Sequence, residues 1–163
     1  RNVTGVQTCA LPIWGSLANT SSYLLYVSAG ALYFITTTNG LNTDVQLAGS
    51  TVTTGTWLHF AVVRSGSSYA LFQNGTRVAT ATNSNTIYDS STVVSLGRYT
   101  GGAFGQLNGY LSNIRIVKGS SVYSPSSSTI TVPTEPTTAV TNTKLLCNFT
   151  NAGITDEIGR AHV

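Results

Sequence analysis

Gly55-Thr56-Trp57-Leu58-His59-Phe60-Ala61-Val62-Val63-Arg64, followed closely by Leu71-Phe72-Gln73-Asn74-Gly75, is the stretch on which the fold turns. Trp57 opens the run with a large apolar surface and a single N–H that needs a partner. Phe60 and Val62 then alternate with Ala61 and Val63, so both faces of a strand from Trp57 to Arg64 are apolar, the pattern of a strand inside a sheet. Asn74-Gly75 is a strong hairpin signal, because a type I′ turn needs positive φ at both central residues and this pair tolerates it. Tyr69 to Ala81 therefore reads as one hairpin.

The same chemistry extends in both directions. Charged residues make up only 8% of the chain, against about 25% in ordinary soluble domains. Strand candidates rich in Val, Ile, Thr, Tyr and Phe fall at Tyr23 to Val27, Ala31 to Thr36, Asp44 to Leu47, Trp57 to Arg64, Tyr69 to Gln73, Arg77 to Ala81, Val93 to Gly97, Gly109 to Val117 and Lys144 to Phe149. Ser28-Ala29-Gly30 is expected to close a tight hairpin. Short strands joined by tight turns predict an all-β chain, a two-sheet antiparallel sandwich or jelly roll rather than a parallel α/β sheet. From Ser124 the composition turns to Ser124-Pro125-Ser126-Ser127-Ser128 and then Pro133-Thr134-Glu135-Pro136, a connector over about 124–141. Lys144 to Phe149 resumes strand character and is expected to close the sandwich; the alternative is that it opens a following module.

The two ends carry a signal of their own. Ile158-Gly159-Arg160-Ala161-His162-Val163, back-translated and reverse-complemented, reads Thr8-Cys9-Ala10-Leu11-Pro12 and begins Ile13, and the string resembles a sequencing-library adapter read inward from both sides. Residues 1–14 and 157–163 are therefore expected to be adapter-derived and non-native, with a sandwich over 15–149 and a truncated tail over 150–156. Between these ends six cations (Arg64, Arg77, Arg98, Arg115, Lys118 and Lys144) face four anions (Asp44, Asp89, Glu135 and Asp156), which is no nucleic-acid footprint. Cys147 is then the one native cysteine, so neither an internal disulfide nor a zinc set is expected, and it should pack as a small apolar residue. No run approaches the roughly 20 apolar residues needed to span a bilayer.

The quoted stretch resembles the signature of laminin G-like jelly rolls, in the concanavalin A-like lectin/glucanase superfamily, where a G-x-W-x-H-x-A-x-x-R strand precedes an L-x-x-N-G hairpin. Further matches follow in order: Leu96-Gly97-Arg98, the run from Leu107-Asn108-Gly109-Tyr110-Leu111 through Ile114-Arg115-Ile116-Val117 to Gly119, Val122-Tyr123, and Asn142-Thr143-Lys144-Leu145-Leu146. The resemblance covers Tyr23 to Phe149 and is nearest to versions in the tail and fibre proteins of bacterial viruses. It lacks the family's phenylalanine-rich opening strand. The sandwich is thus expected to have an unpaired edge, and a product of residues 15–156 to aggregate or express poorly.

Glycoside hydrolysis needs two carboxylates about 5 to 10 Å apart, and the four acids fall in separate segments, so no catalytic residue is expected. His59, in an apolar strand, reads as a packed residue rather than a base. Arg115, between Ile114 and Ile116, reads as the outward residue of a strand that buries its isoleucines. The resemblance implies that some members bind calcium. Here the weak candidates are Asp44 and Asp89, with Asn39, Asn42 and Asn83 as helpers, fewer carboxylates than a hard cation wants, so no cofactor is expected. A sugar needs an aromatic face ringed by amides and hydroxyls; Tyr99, Phe104 and Asn108 supply these in one loop, and Asn83, Asn85 and Tyr88 in another, the alternative being that Tyr99 and Phe104 cap the core while the glycines of their loop permit the turn. The expectation is a non-catalytic carbohydrate-binding or adhesion domain of an extracellular or virion protein, of tail-fibre type. Its expected partners are cell-surface polysaccharide or glycan and other copies along a fibre, without nucleic acid or membrane insertion. The alternative is a structural spacer or protein-interaction domain that binds no sugar.

Overall fold

Hairpin turns organise the sheets. In the computed structural model, which describes residues 21–91, 93–97 and 107–148, Ala29 and Gly30 adopt φ of 48° and 75°, and Asn74 and Gly75 adopt 50° and 81°. Both pairs have the positive φ that a two-residue turn between right-twisted strands requires. The first joins β1 (Tyr23–Ser28) to β2 (Ala31–Thr37), which pairs in turn with β3 (Thr43–Thr51). The second joins β5 (Ser68–Gln73) to β6 (Thr76–Thr82), and β4 (Phe60–Ser65) lies on the other side of β5. A third, two-stranded sheet pairs β7 (Ile114–Val117) with β8 (Thr143–Cys147). Every pairing is antiparallel, and the described residues contain no helix, hence none long and apolar enough to cross a membrane.

Alternation along the strands builds the core between the two three-stranded sheets. Leu25, Leu32, Phe34, Val45 and Leu47 from the first meet Phe60, Tyr69 and Leu71 from the second. The opposite face of the second sheet, Ala61, Val63, Ala70 and Phe72, is covered by Tyr123 and Ile130 from the proline-punctuated segment. That segment is hydrogen-bonded to the hairpin as well as packed on it. Ile130 N–H donates to Gly75 O at 2.7 Å, Arg77 N–H donates to Ser128 O at 2.9 Å, and Thr76 and Thr129 form an antiparallel bridge. A smaller cluster of Ile114 and Cys147, flanked by Leu96, Leu111 and Leu145, holds the third sheet.

Gln73 ties the sheets together. It is buried, and its amide donates to Thr51 O and accepts from Ser50 N–H, both at 3.0 Å, where the β2–β3 register slips by a residue. A bulge frees backbone groups from the ladder, and Gln73 satisfies two of them from the opposite sheet. Gly49 leaves it room: a Cβ there would lie 3.2 Å from Gln73 Oε1 and 3.3 Å from Leu32 and Leu71.

The structure corrects several boundaries. Both faces of β4 are indeed covered, but among the described strands β5 is the central one and β4 flanks it. β4 starts at Phe60, and Trp57 lies ahead of it, 46% exposed. The reason is the turn opposite: Phe60 pairs with Gln73, after which β5 bends away at Asn74-Gly75 and has no residue left to face Trp57. The stretch from Gly109 is extended only from Ile114, because Asn113 takes φ of 55°, outside the strand region, and Tyr110 is 87% exposed. Val93 to Gly97 forms no named strand, and Val93 and Val94 are exposed. Valine propensity there met no partner to bury it. Arg115 is half-buried and donates to Thr138 O at 3.0 Å, and of its two flanking isoleucines Ile114 is fully buried while Ile116 is half-buried.

Candidate functional site

The polar residues that converge best lie at one end of the two sheets. Asp44 is the second residue of β3, after the loop over residues 38–42; Arg64 is the last but one of β4; Asn83 and Asn85 follow β6. Asn85 Nδ2 donates to Asp44 Oδ1 at 2.9 Å, and Asn85 N–H donates to Asn83 Oδ1 at 2.7 Å. Arg64 closes the knot. Its Nη2 donates to Asn85 O at 2.8 Å, its Nε to Gly66 O at 3.1 Å, and its guanidinium lies 5.0 Å over the ring of Tyr69, its cross-strand partner. Burial pushes the Tyr69 phenol up, opposed by the Arg64 charge beside it, so the ring stays a neutral platform for the cation. One carboxylate, two amides and one guanidinium are thus held in fixed positions at a surface where Asn85 is exposed.

Asn83 and Asn85 are therefore brought together, and with Asp44. Tyr88 lies three residues on, its backbone stapled to the first sheet: Tyr88 N–H donates to Thr37 O at 2.8 Å, and Tyr88 O accepts from Ser22 Oγ at 2.6 Å. Its side chain is half-buried. Asn108 is exposed, and no hydrogen bond joins it to the Asn83–Asn85 knot. Tyr99 and Phe104 lie outside the described residues. Arg64 stood in the quoted motif without a role; its pairing with Tyr69, one turn away across Gly66, was the signal that could have assigned one.

For calcium the arrangement offers little. Asp44 Oδ1 is engaged by Asn85, Asp89 is exposed, and Asn39 Oδ1 accepts from Leu41 and Asn42 N–H at 3.0 and 2.9 Å in a local turn. Among the described residues no three of His, Cys, Asp and Glu gather into a group that could hold a metal ion.

His59 is buried as expected, at 2% exposure, although it lies just before β4 rather than inside a strand. Its backbone is clamped by the hairpin turn: Asn74 Oδ1 accepts from His59 N–H at 2.9 Å, and Asn74 N–H donates to His59 O at 2.8 Å. Among the described residues neither ring nitrogen has a partner, and burial lowers the imidazole pKa to about 4. A neutral ring so placed is a packed residue of the core.

Two facing antiparallel sheets and the Asn74-Gly75 hairpin are the geometry that the laminin G resemblance predicted. A laminin G family model, described as the concanavalin A-like lectin/glucanases superfamily, matches residues 4–121. The chain belongs to that superfamily. The matched stretch of this concanavalin A-like domain takes in β1 to β7 and the whole knot, and it opens within the segment read above as adapter-derived. Members of the superfamily often bind carbohydrate or mediate adhesion, and its laminin G-like, lectin-type branch is generally non-catalytic. No curated protein and no solved structure matches the chain.

Proposed function

We propose that this concanavalin A-like domain is a non-catalytic carbohydrate-binding and adhesion module of an extracellular or virion protein of tail-fibre type. The Asp44–Asn85–Asn83–Arg64 knot carries the reading. Sugar hydroxyls are both donors and acceptors, and they are recognised best by carboxylate and amide groups already fixed in place, since no ordering entropy is then lost on binding. Asp44 is the one carboxylate in the knot, and its visible neighbours are an amide and a cation-bound loop. General acid and base work on a glycosidic bond needs a second carboxylate close by. Binding without cleavage fits what is there.

A single shallow site of this kind is weak, and repetition along a fibre would raise its avidity without any new contact. The test is a glycan array probed with the multimerised chain, beside Asp44→Ala and Asn85→Ala variants. Retention of a defined glycan class, weakened at least tenfold in both variants while the thermal transition stays in place, is the expected result. Absence of binding by folded multimer, together with concentration-dependent self-association, would replace this reading with a structural spacer.

A further inference from the structure

Thr36-Thr37-Thr38-Asn39-Gly40 carries three threonines in a row, and the middle one has no exposed surface. A hydroxyl offers one donor and two acceptor sites, and Thr37 uses both kinds. It donates to Ser21 O, just ahead of β1, and accepts from Gly40 N–H at 3.0 Å, in the 38–42 loop. Ser21 N–H donates in turn to Gly40 O at 3.1 Å, which closes the ring. The Thr37 backbone is engaged as well, its N–H donating to Ser22 O at 2.9 Å and its carbonyl accepting from Tyr88 N–H at 2.8 Å.

These bonds lead to both sides of the knot. Thr36 pairs with Val45 and Thr37 with Thr43, so Asp44 is the extra residue of a bulge. A bulge re-aims its side chain out of the regular alternation, and the aim holds only while the strand opposite and the 38–42 loop keep their places. Thr37 fixes both. On the other side Ser22, next to Ser21, donates through Oγ to Tyr88 O at 2.6 Å and accepts there from Ser90 N–H at 3.1 Å. Tyr88 is three residues from Asn85, a reach of about 10 Å at most. Asp44 stands on the first sheet and Asn85 follows the second, so their 2.9 Å bond depends on how those two segments are set against each other. Turn capping accounts for the Gly40 bond alone. It does not account for one fully buried residue joined at once to the entry of β1, the loop before the bulge and the loop after β6.

We propose that Thr37 is the positioning residue of the glycan-binding knot. Its hydroxyl holds the Asp44 bulge and, through Ser21 and Ser22, the Asn85 loop in one register, and being fully buried it touches no ligand itself. A binding constellation works only while its supporting groups keep its members within about 0.5 Å of the productive geometry. Thr37→Val keeps the shape but leaves Ser21 O and Gly40 N–H without the hydroxyl that joins them.

This inference rests on the carbohydrate-binding reading, and its test separates the two. The full chain, Thr37→Val, Thr37→Ser and Gln73→Ala are run in native gels cast with galactomannan, dextran or alginate, and amide exchange is followed in each by NMR. Thr37→Val is expected to weaken retardation at least tenfold and to speed exchange at least tenfold at Gly40 and Tyr88, with β4 and β5 unchanged. Thr37→Ser, which keeps the hydroxyl, should restore both. Gln73→Ala cuts a tie between the same sheets at the far end of β5 from the Arg64–Tyr69 pair; it should lower the urea midpoint and leave retardation in place. Equal weakening in Gln73→Ala would reduce Thr37 to a contributor to stability and overturn the proposal. Parent-like retardation in Thr37→Val overturns it whatever the exchange shows. Should Thr37→Val not fold, Ser22→Ala decides, since it cuts only the branch to Tyr88 and Ser90: tenfold weaker retardation upholds the proposal and unchanged retardation overturns it. No retardation of the parent chain in any gel overturns the carbohydrate-binding reading, and exchange alone then judges the positioning. Selective release of Gly40 and Tyr88 in Thr37→Val upholds it, and release throughout both sheets overturns it.

Discussion

His59 is neutral because burial removes the water that would stabilise its cation, and nothing replaces that water. Its folded pKa of about 4 lies below the ordinary 6.5. Above pH 6.5 neither state binds the proton and its contribution to stability is complete. As pH falls through the window from 6.5 to about 4, the unfolded chain takes a proton that the folded chain refuses, and stability declines, by roughly 2–3 kcal/mol in all. Urea midpoints measured from pH 7.5 to 4 should show this slope in the parent chain. His59→Leu should remove it and be neutral or stabilising at pH 7, since no hydrogen bond is lost. An identical acid slope in the variant would contradict the assignment. Gln73 is the opposite case. It has two part-buried hydrogen bonds to the bulged backbone of β3, so Gln73→Ala should destabilise by about 1–3 kcal/mol, read as a lowered urea midpoint with the slope of the transition unchanged.

The hairpin of β5 and β6 illustrates what one element can bind together. Asn74 fixes the backbone of His59 on one side, and Gly75 O accepts the Ile130 N–H on the other. Gly75 must be glycine twice over: its φ is +81°, and a Cβ would come within 2.8 Å of Ile130 O and 3.0 Å of Val132 Cγ2. Gly75→Ala should therefore destabilise by about 2 kcal/mol or more, and hydrogen exchange should show the Ile130 amide losing protection first. Arg77 anchors the same strap through Nη1, which donates to Pro125 O at 3.0 Å and Ser126 O at 2.7 Å. Arg77→Ala should lower stability by about 1–2 kcal/mol and raise exchange over residues 125–130 while leaving β1 to β3 untouched. Uniform loss of protection would show that the strap does not fold as a separate layer. In sequence this segment reads as a connector, because serine and proline describe a backbone without a ladder. They do not reveal that its carbonyls accept hydrogen bonds from an arginine in β6.

At the scale of the whole molecule, the sandwich was legible because its signals are local. Alternation in β1 to β6 and two turn pairs with positive φ each follow from a handful of adjacent residues. What escaped depended on partners distant in sequence. Trp57 reads as a strand residue until the opposing strand runs out of chain, and Val93 reads as buried until no neighbour covers it. The site divides in the same way. Asn83 and Asn85 were legible as an amide-rich loop, whereas their joining to Asp44 and Arg64 needed β3, β4 and the end of β6 at one corner.

The central claim is that the domain holds polysaccharide without altering it. The most direct measurement incubates the multimerised full chain with each polysaccharide that retains it and follows both the bound fraction and the release of reducing ends. The account predicts saturable retention that falls in Asp44→Ala, with no reducing ends above the protein-free background over a day. Release of reducing ends proportional to protein concentration, or folded multimer that retains none of the glycans offered, would contradict it.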